Sequence, residues 1–316
     1  MRAMTTASFP GVERVADAGL LAGDARVREV LERAPMLHSA VDTGRGLHVT
    51  PTAFSWSGGA LWVVTTRQSV KVRALHRCPP VGLLLRAPGY DLVLAGEAEL
   101  VDPLRLHGVA SAERVVDMSF AALRYLERNY KHVAGVLRDA TLGPGLVLDR
   151  LAIRVRPSRA VLLASDPRAG ANEVLTAWGD WETEPTAVLP VDPAPPATKP
   201  LDLNLLPAAI RPLVRRPGPA CLAWPSEHGP LALPAHWRGN GKPSDTDGTL
   251  LALVAGQASG PAGLSMDSGG YRLASKRGVL IRGAATAHRH GERAQIALAA
   301  QRLTTWEGDR SSTVPA

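Results

Sequence analysis

The 316-residue sequence predicts a mainly β protein with some α, built as two tandem β-barrels of which the second is degenerate. Three observations carry that expectation. Apolar residues recur with a period of two in short runs separated by turn residues, which is the pattern of antiparallel strands. One stretch alone, residues 111–138, keeps the three-and-four spacing of a long helix. The third is an internal repeat: Pro80-Val-Gly82-Leu83 with Gly89-Tyr90-x-Leu92 returns 181 residues later as Pro261-Ala-Gly263-Leu264 with Gly270-Tyr271-x-Leu273. Upstream, Pro51-x-x-Phe54 answers to Pro234-x-x-Trp237 at an offset of 183.

Each element has its own signals. Residues 24–34 read as a short helix, with Asp24 as N-cap, Val27, Val30 and Leu31 on one face, and Pro35 as the stop. Strands follow at 36–41, 47–56, 60–66, 81–85 and 91–101, divided by Asp42-Thr43-Gly44, Ser57-Gly58-Gly59 and Pro88-Gly89. In the helix 111–138, Val116, Phe120, Leu123, Leu126, Tyr130, Val133 and Leu137 form one stripe, read as the face that caps a barrel, with a dimer-forming helix as the alternative. Gly143-Pro144-Gly145 ends it, and 146–164 returns to strand. Seven prolines between 185 and 207 mark an extended linker, with at most a short helix at 171–178. The expected division is 1–165 for the first barrel, 166–205 for the linker and 206–316 for the second barrel, which lacks the long helix.

Composition excludes several classes. The net charge is +7, but only five of the 36 basic residues are lysine and the rest are scattered among acidic residues, so no nucleic-acid partner is expected. Cys78 and Cys221 cannot make a disulfide framework or a thiolate zinc site by themselves. His288-Arg289-His290 reads as an exposed turn, and no metal site is expected. No apolar run approaches the ~18 residues of a membrane span, and the N-terminus has no apolar signal core, so a cytoplasmic protein is expected.

The chemistry is concentrated in Thr65-Thr66-Arg67-Gln68-Ser69-Val70-Lys71-Val72-Arg73. If this run stays extended, Ser69, Lys71 and Arg73 alternate onto one face while Val70 and Val72 turn inward. Hydroxyls, an ammonium and a guanidinium fork together suit a phosphate dianion. The corresponding stretch of the second copy, residues 244–256, carries two aspartates and no basic residue, so no phosphorylated cofactor is expected there.

The run Val41-Asp42-Thr43-Gly44-Arg45-Gly46-Leu47-His48-Val49-Thr50-Pro51-x-x-Phe54-x-Trp56, then Gly59 to Thr66, Ser69-x-Lys71-x-Arg73-x-Leu75 and Pro79-Pro80-Val81, resembles the pyridoxamine 5′-phosphate oxidase-like superfamily of flavin-binding split barrels. The likeness covers residues 36–103 and recovers at Ala152-Ile-Arg154-Val-Arg156-Pro157. It implies a flavoprotein oxidoreductase acting on a small-molecule substrate, with Ser69, Lys71, Arg73, Thr65 and Thr66 holding the phosphate of FMN. Val49, Thr50 and Pro51 would line the isoalloxazine ring, with His48 nearby. Alternatives within the resemblance are the deazaflavin coenzyme F-420, and a non-catalytic flavin- or haem-binding barrel. Split barrels bind flavin at a two-fold interface, so either a homodimer or an intramolecular pseudo-dimer of the two copies is implied. The chain departs from the vitamin B6 oxidases: Val70-Lys71 stands where they carry Arg-Lys, and their C-terminal Arg-x-His motif is missing. No catalytic residue is assigned.

Overall fold

The structure, a computed structural model, describes residues 13–15, 18–102, 110–138, 149–166, 171–179, 181, 198–247, 250–251, 258–268, 276–290, 293–308 and 310–316. The first half contributes strands β1 (Glu13–Val15), β2 (Leu37–Asp42), β3 (Leu47–Thr52), β4 (Ser55–Ser57), β5 (Ala60–Thr66), β6 (Pro80–Ala87), β7 (Tyr90–Val101), β8 (Arg150–Asp166) and β9 (Ala171–Trp178). Helices α1 (Ala25–Arg33), α2 (Val70–Leu75) and α3 (Ala110–Arg138) lie among them. The second half opens with helix α4 (Arg211–Arg215), followed by β10 (Gly218–Ser226), β11 (Gly229–Trp237), β12 (Ser244–Asp247), β13 (Ser259–Asp267), β14 (Arg277–His290), β15 (Arg293–Glu307) and β16 (Arg310–Pro315).

The mainly β architecture with two tandem barrels is present, and the repeat reaches down to strand order. The first sheet runs β1-β9-β8-β7-β6-β2-β3, with β5 on β8 and β4 on β5. The second runs β12-β11-β10-β13-β14-β15-β16. The segment β3-β2-β6-β7-β8-β9 therefore matches β11-β10-β13-β14-β15-β16, strand for strand. Even the bulge recurs. Register shifts at Ala95/Gly96 against β8 and at Arg282/Gly283 against β15. A Cβ at Gly96 would strike the Arg156 carbonyl, and one at Gly283 the Ala299 carbonyl, so only glycine fits either bulge. In the second barrel β12 pairs with both β11 and β15, which closes the ring. In the first, β3 and β4 are joined through Ala53-Phe54 instead, which breaks the single strand expected at 47–56. The second copy passes from β14 to β15 with no long helix between them.

Two cores explain the sequence pattern. Leu83, Leu85, Leu92, Leu94, Ala160 and Leu162 point into the first barrel. Their neighbours Leu84, Val93, Val161 and Leu163 point the other way, into a core continuous with Leu222, Trp224, Leu231 and Leu264 of the second barrel. Strands buried on both faces read as unbroken apolar runs, as Leu83-Leu84-Leu85 and Val161-Leu162-Leu163 do. Each such outward leucine contributes ~1.5–3 kcal/mol to the junction. The two copies thus form one intramolecular pair.

Helix α1 forms as the sequence indicates, with Asp24 Oδ1 accepting the N–H groups of Arg26 and Val27 at 2.8 and 3.4 Å. Helix α3 also caps the first barrel, but on another face than its apolar stripe suggested. Ser55 Oγ donates to Ala121 O at 3.3 Å and Asn129 Nδ2 donates to Phe54 O at 3.0 Å, with Tyr125 buried between them. Val116, Phe120, Leu123, Leu126 and Tyr130 are exposed. Residues 171–178 form strand β9 beside β8, where a short helix was expected, and Trp178 enters the first core. The proline-rich stretch 182–197, the Gly143-Pro144-Gly145 stop and the Gly270-Tyr271 turn lie outside the described residues. His288-Arg289-His290 belongs to β14 and is not a turn. Among the described residues, no helix is long and apolar enough to cross a membrane, and no group of His, Cys, Asp and Glu could hold a metal ion.

Candidate functional site

The residues singled out in the sequence sit where β3, the end of β5 and α2 meet. Val49 of β3 is buried and points into the core shared with the second barrel, while Thr50 and Pro51 are half-buried. Thr65 and Thr66 end β5, half-buried opposite Leu151 and Arg150 of β8. Beyond them the chain is fixed by Arg67, whose Nη1 and Nη2 both donate to the Asp102 carboxylate, the second at 2.7 Å. A fork on a carboxylate is a rigid contact.

The expected extended run at 69–73 is not there. Val70–Leu75 is helical, and Ser69 is its N-cap, with its Oγ accepting the Val72 N–H at 3.2 Å. The reason is burial: Val72, Ala74 and Leu75 enter the first core together, which a helix allows and an alternating strand does not. Residues two apart on a helix diverge by about 200°. Lys71 therefore goes inward and is 8% exposed, while Arg73 projects into solvent. The two cations do not share a face.

Lys71 meets different company. Its Nζ donates to Thr50 O at 3.3 Å, so it lies against the strand that carries Val49, Thr50 and Pro51. Burial, with the Lys276 charge added, pushes its ammonium down to about 7. Lys276 comes from the second copy, immediately before β14. It is 3% exposed, and its Nζ has no hydrogen-bond partner among the described residues. Burial pushes it down to about 8, with Asp267 acting in the opposite direction. His48, buried beside them, is held down to about 3 by burial and by the Lys71 and Arg282 charges, so it is neutral at neutral pH. His38 Nε2 and Asp267 Oδ2, 3.0 Å apart, link the two sheets close by. Burial lowers the His38 imidazole more than the carboxylate raises it, so the neutral ring donates from Nε2.

Of the residues read from the sequence, the structure brings Thr50 and Lys71 into contact and sends Arg73 away. Ser69 keeps its O–H as a donor, since the oxygen alone serves the helix. Lys276 and Arg282 were missed, and no local motif marks either one.

An ammonium buried against a lone carbonyl loses most of its hydration, so burial favours the neutral form of Lys71. The sign of the resulting pH effect follows. Lys71 titrates near 7 in the folded chain and near its ordinary 10.5 when unfolded. Between those values the unfolded state holds a proton that the folded state has lost, so stability rises with pH across that window. We expect the ligand-free protein to melt higher at pH 9 than at pH 7, and Lys71→Met to flatten that slope in thermal melts. Cys221 gives a simpler check. Burial pushes its thiol up to about 12, whereas Cys78 is half-buried, so a thiol reagent will label Cys78 in the folded protein and leave Cys221 intact until unfolding.

No protein-family model and no curated protein matches the chain. Solved structures do. An F420 reductase is 24% identical over 42% of this chain and 92% of its own, with a TM-score of 0.30. A pyridoxamine 5′-phosphate oxidase-related, FMN-binding protein from Nostoc punctiforme is 15% identical over 44% of this chain and 82% of its own, with a TM-score of 0.32. A heme-binding protein from Mycobacterium smegmatis is 18% identical over 42% of this chain and 52% of its own, with a TM-score of 0.30. The solved structures to which this chain is similar thus include a pyridoxamine 5′-phosphate oxidase-related protein, of the kind that its residue 48–75 motif resembles.

Proposed function

We propose that the chain binds a phosphorylated flavin, FMN, at the junction of its two barrels and works as a small-molecule oxidoreductase. The observation that supports this reading is a pair of buried lysines, Lys71 from one copy and Lys276 from the other, near enough for the Lys276 charge to bear on Lys71, the second with no hydrogen-bond partner among the described residues. An ammonium in that position fits a dianion that replaces its lost hydration. In the proposed assignment Lys71 and Lys276 neutralise the phosphate. The O–H groups of Thr65, Thr66 and Ser69 donate to its oxygens. The β3 backbone at Val49, Thr50 and Pro51 lies along the ring, and Arg73 takes no part. A bound flavin supplies hydride or electron transfer, while the protein sets its orientation and surroundings. Neutral His48 adds no positive charge to the site.

The test is reconstitution of the full chain. Purified protein incubated with FMN and desalted is expected to keep a flavin absorbance band. Retention of coenzyme F-420 in preference to FMN, read from the absorbance maximum, would assign the deazaflavin. A Soret band after haem incubation would assign haem. Protein that stays colourless with all three would remove the reading.

A further inference from the structure

In the second copy β14 passes to β15 with no long helix between them. In the first copy α3 covers Ala60, Trp62, Val101 and Ala152, and packs Ala121 and Met118 against them. The shared bulge allows the two faces to be aligned. Ala152 lies opposite Val64 and five residues before Pro157; Gln295 lies opposite Asp245 and five residues before Ala300, and Pro157 and Ala300 are the bulge partners. Where the first copy packs Ala152 against a helix, the second carries Gln295, paired with Asp245. This position opens into a cleft of about 700 Å³, lined by His236, Arg238, Lys242, Asp245, Arg293 and Gln295.

Asp245 and Gln295 form its floor, 6% and 5% exposed. Arg238 Nε stands 3.6 Å from Asp245 Oδ2, and Arg293 Nη1 stands 3.9 Å from the same oxygen. Both distances are those of ion pairs, with the carboxylate much the more buried partner. Three cations thus line one cleft with a buried carboxylate, Arg238 and Lys242 from the β11–β12 connection and Arg293 from the start of β15. Residues 244–256 carry no basic residue themselves; Arg238 and Lys242 stand just before them, and Arg293 comes from β15.

We propose that this cleft is a second binding site, for a small phosphate-bearing anion, separate from the junction of the barrels. Two guanidinium forks and an ammonium around a polar floor match phosphate oxygens. The volume is that of a small-molecule site. The proposal does not depend on flavin binding, since none of the residues is shared.

Inorganic pyrophosphate, titrated into the full chain by calorimetry at constant ionic strength, tests it. The titration is run on Lys71→Met protein, which removes the junction's own phosphate contact, and that protein is expected to bind. Arg293→Gln and Arg238→Gln should each weaken binding about tenfold or more, since each removes a charge-assisted contact. Asp245→Asn should tighten binding, because it removes the one negative charge, an effect that a purely structural role for Asp245 would not give. Lys242→Gln, on the turn before β12, serves as a further variant if an arginine substitution lowers the melting temperature. Absence of binding by Lys71→Met, or unchanged binding when either arginine substitution is added to it, would each overturn the proposal.

Discussion

Replacing Lys71 by methionine will lower FMN affinity by one to two orders of magnitude and raise the melting temperature of the ligand-free protein. The two effects have opposite signs for one reason. Lys71 is buried with a single backbone acceptor, Thr50 O at 3.3 Å, so its charge is a burden on the empty fold. Methionine keeps the length and the apolar stem while discarding that charge. A charge-assisted contact to phosphate is worth about 1.5–3 kcal/mol, which is a tenfold to hundredfold change in the dissociation constant. Lys276→Met should behave in the same way, with both affinity and stability moving as for Lys71, and the double variant should lose measurable binding. Arg73→Ala should leave flavin affinity unchanged, because Arg73 projects from the opposite side of α2. Fluorescence quenching of the flavin on titration reads the affinity, and differential scanning calorimetry reads the stability. A loss of flavin affinity in Arg73→Ala comparable to that in Lys71→Met would show that Arg73 also holds the phosphate and would overturn the assignment to Lys71 and Lys276.

Gly82→Ala will destabilise both barrels together. Gly82 lies on β6 where it crosses β11, and a Cβ there would meet the backbone of Pro230, Leu231 and Ala232 at less than 3 Å. Backbone cannot swing aside as a side chain can, so the crossing must open. Overpacking of this kind costs about 1–3 kcal/mol where only side chains yield, and more where strands must separate. Because the core that holds Leu84 and Val93 is continuous with Leu231 and Leu264, the loss reaches the second barrel as well. One cooperative transition shifted downward is the expected melting profile. Gly218→Ala is the control, since a Cβ there meets nothing within 4 Å. Two separated transitions in the wild type would mean that the barrels unfold independently.

Much of this arrangement was legible in the residues. The short apolar runs in Ala60–Thr66 and Tyr90–Val101, each opened by a Gly-containing turn, specified strands, and Asp24 and Pro35 delimited a helix. The repeated Pro-x-Gly-Leu indicated the same strand order twice, and the order is the same. What failed did so for identifiable reasons. The stretch Val70–Leu75 satisfies both a period of two and a short helix, and only the core beneath Val72, Ala74 and Leu75 decides between them. Ala171–Trp178 is too short and too polar to declare itself, and it becomes a strand because β8 offers it a free edge. In α3 the apolar stripe was legible but not the face that docks. Ala121, Tyr125 and Asn129 dock because the free Phe54 carbonyl and the Ser55 hydroxyl need partners.

Hydrophobic period, turn chemistry and an internal repeat are local properties, so the sequence by itself determined the strands, the long helix and the twofold plan of the molecule. The site is not local. Lys71 and Lys276 are far apart in the chain, as are Arg238 and Arg293, and their neighbours in sequence do not show what they face. Only the packing of one barrel against the other decided which cations are buried, and only the sheet brought Arg293 to the cleft that Arg238 and Lys242 line.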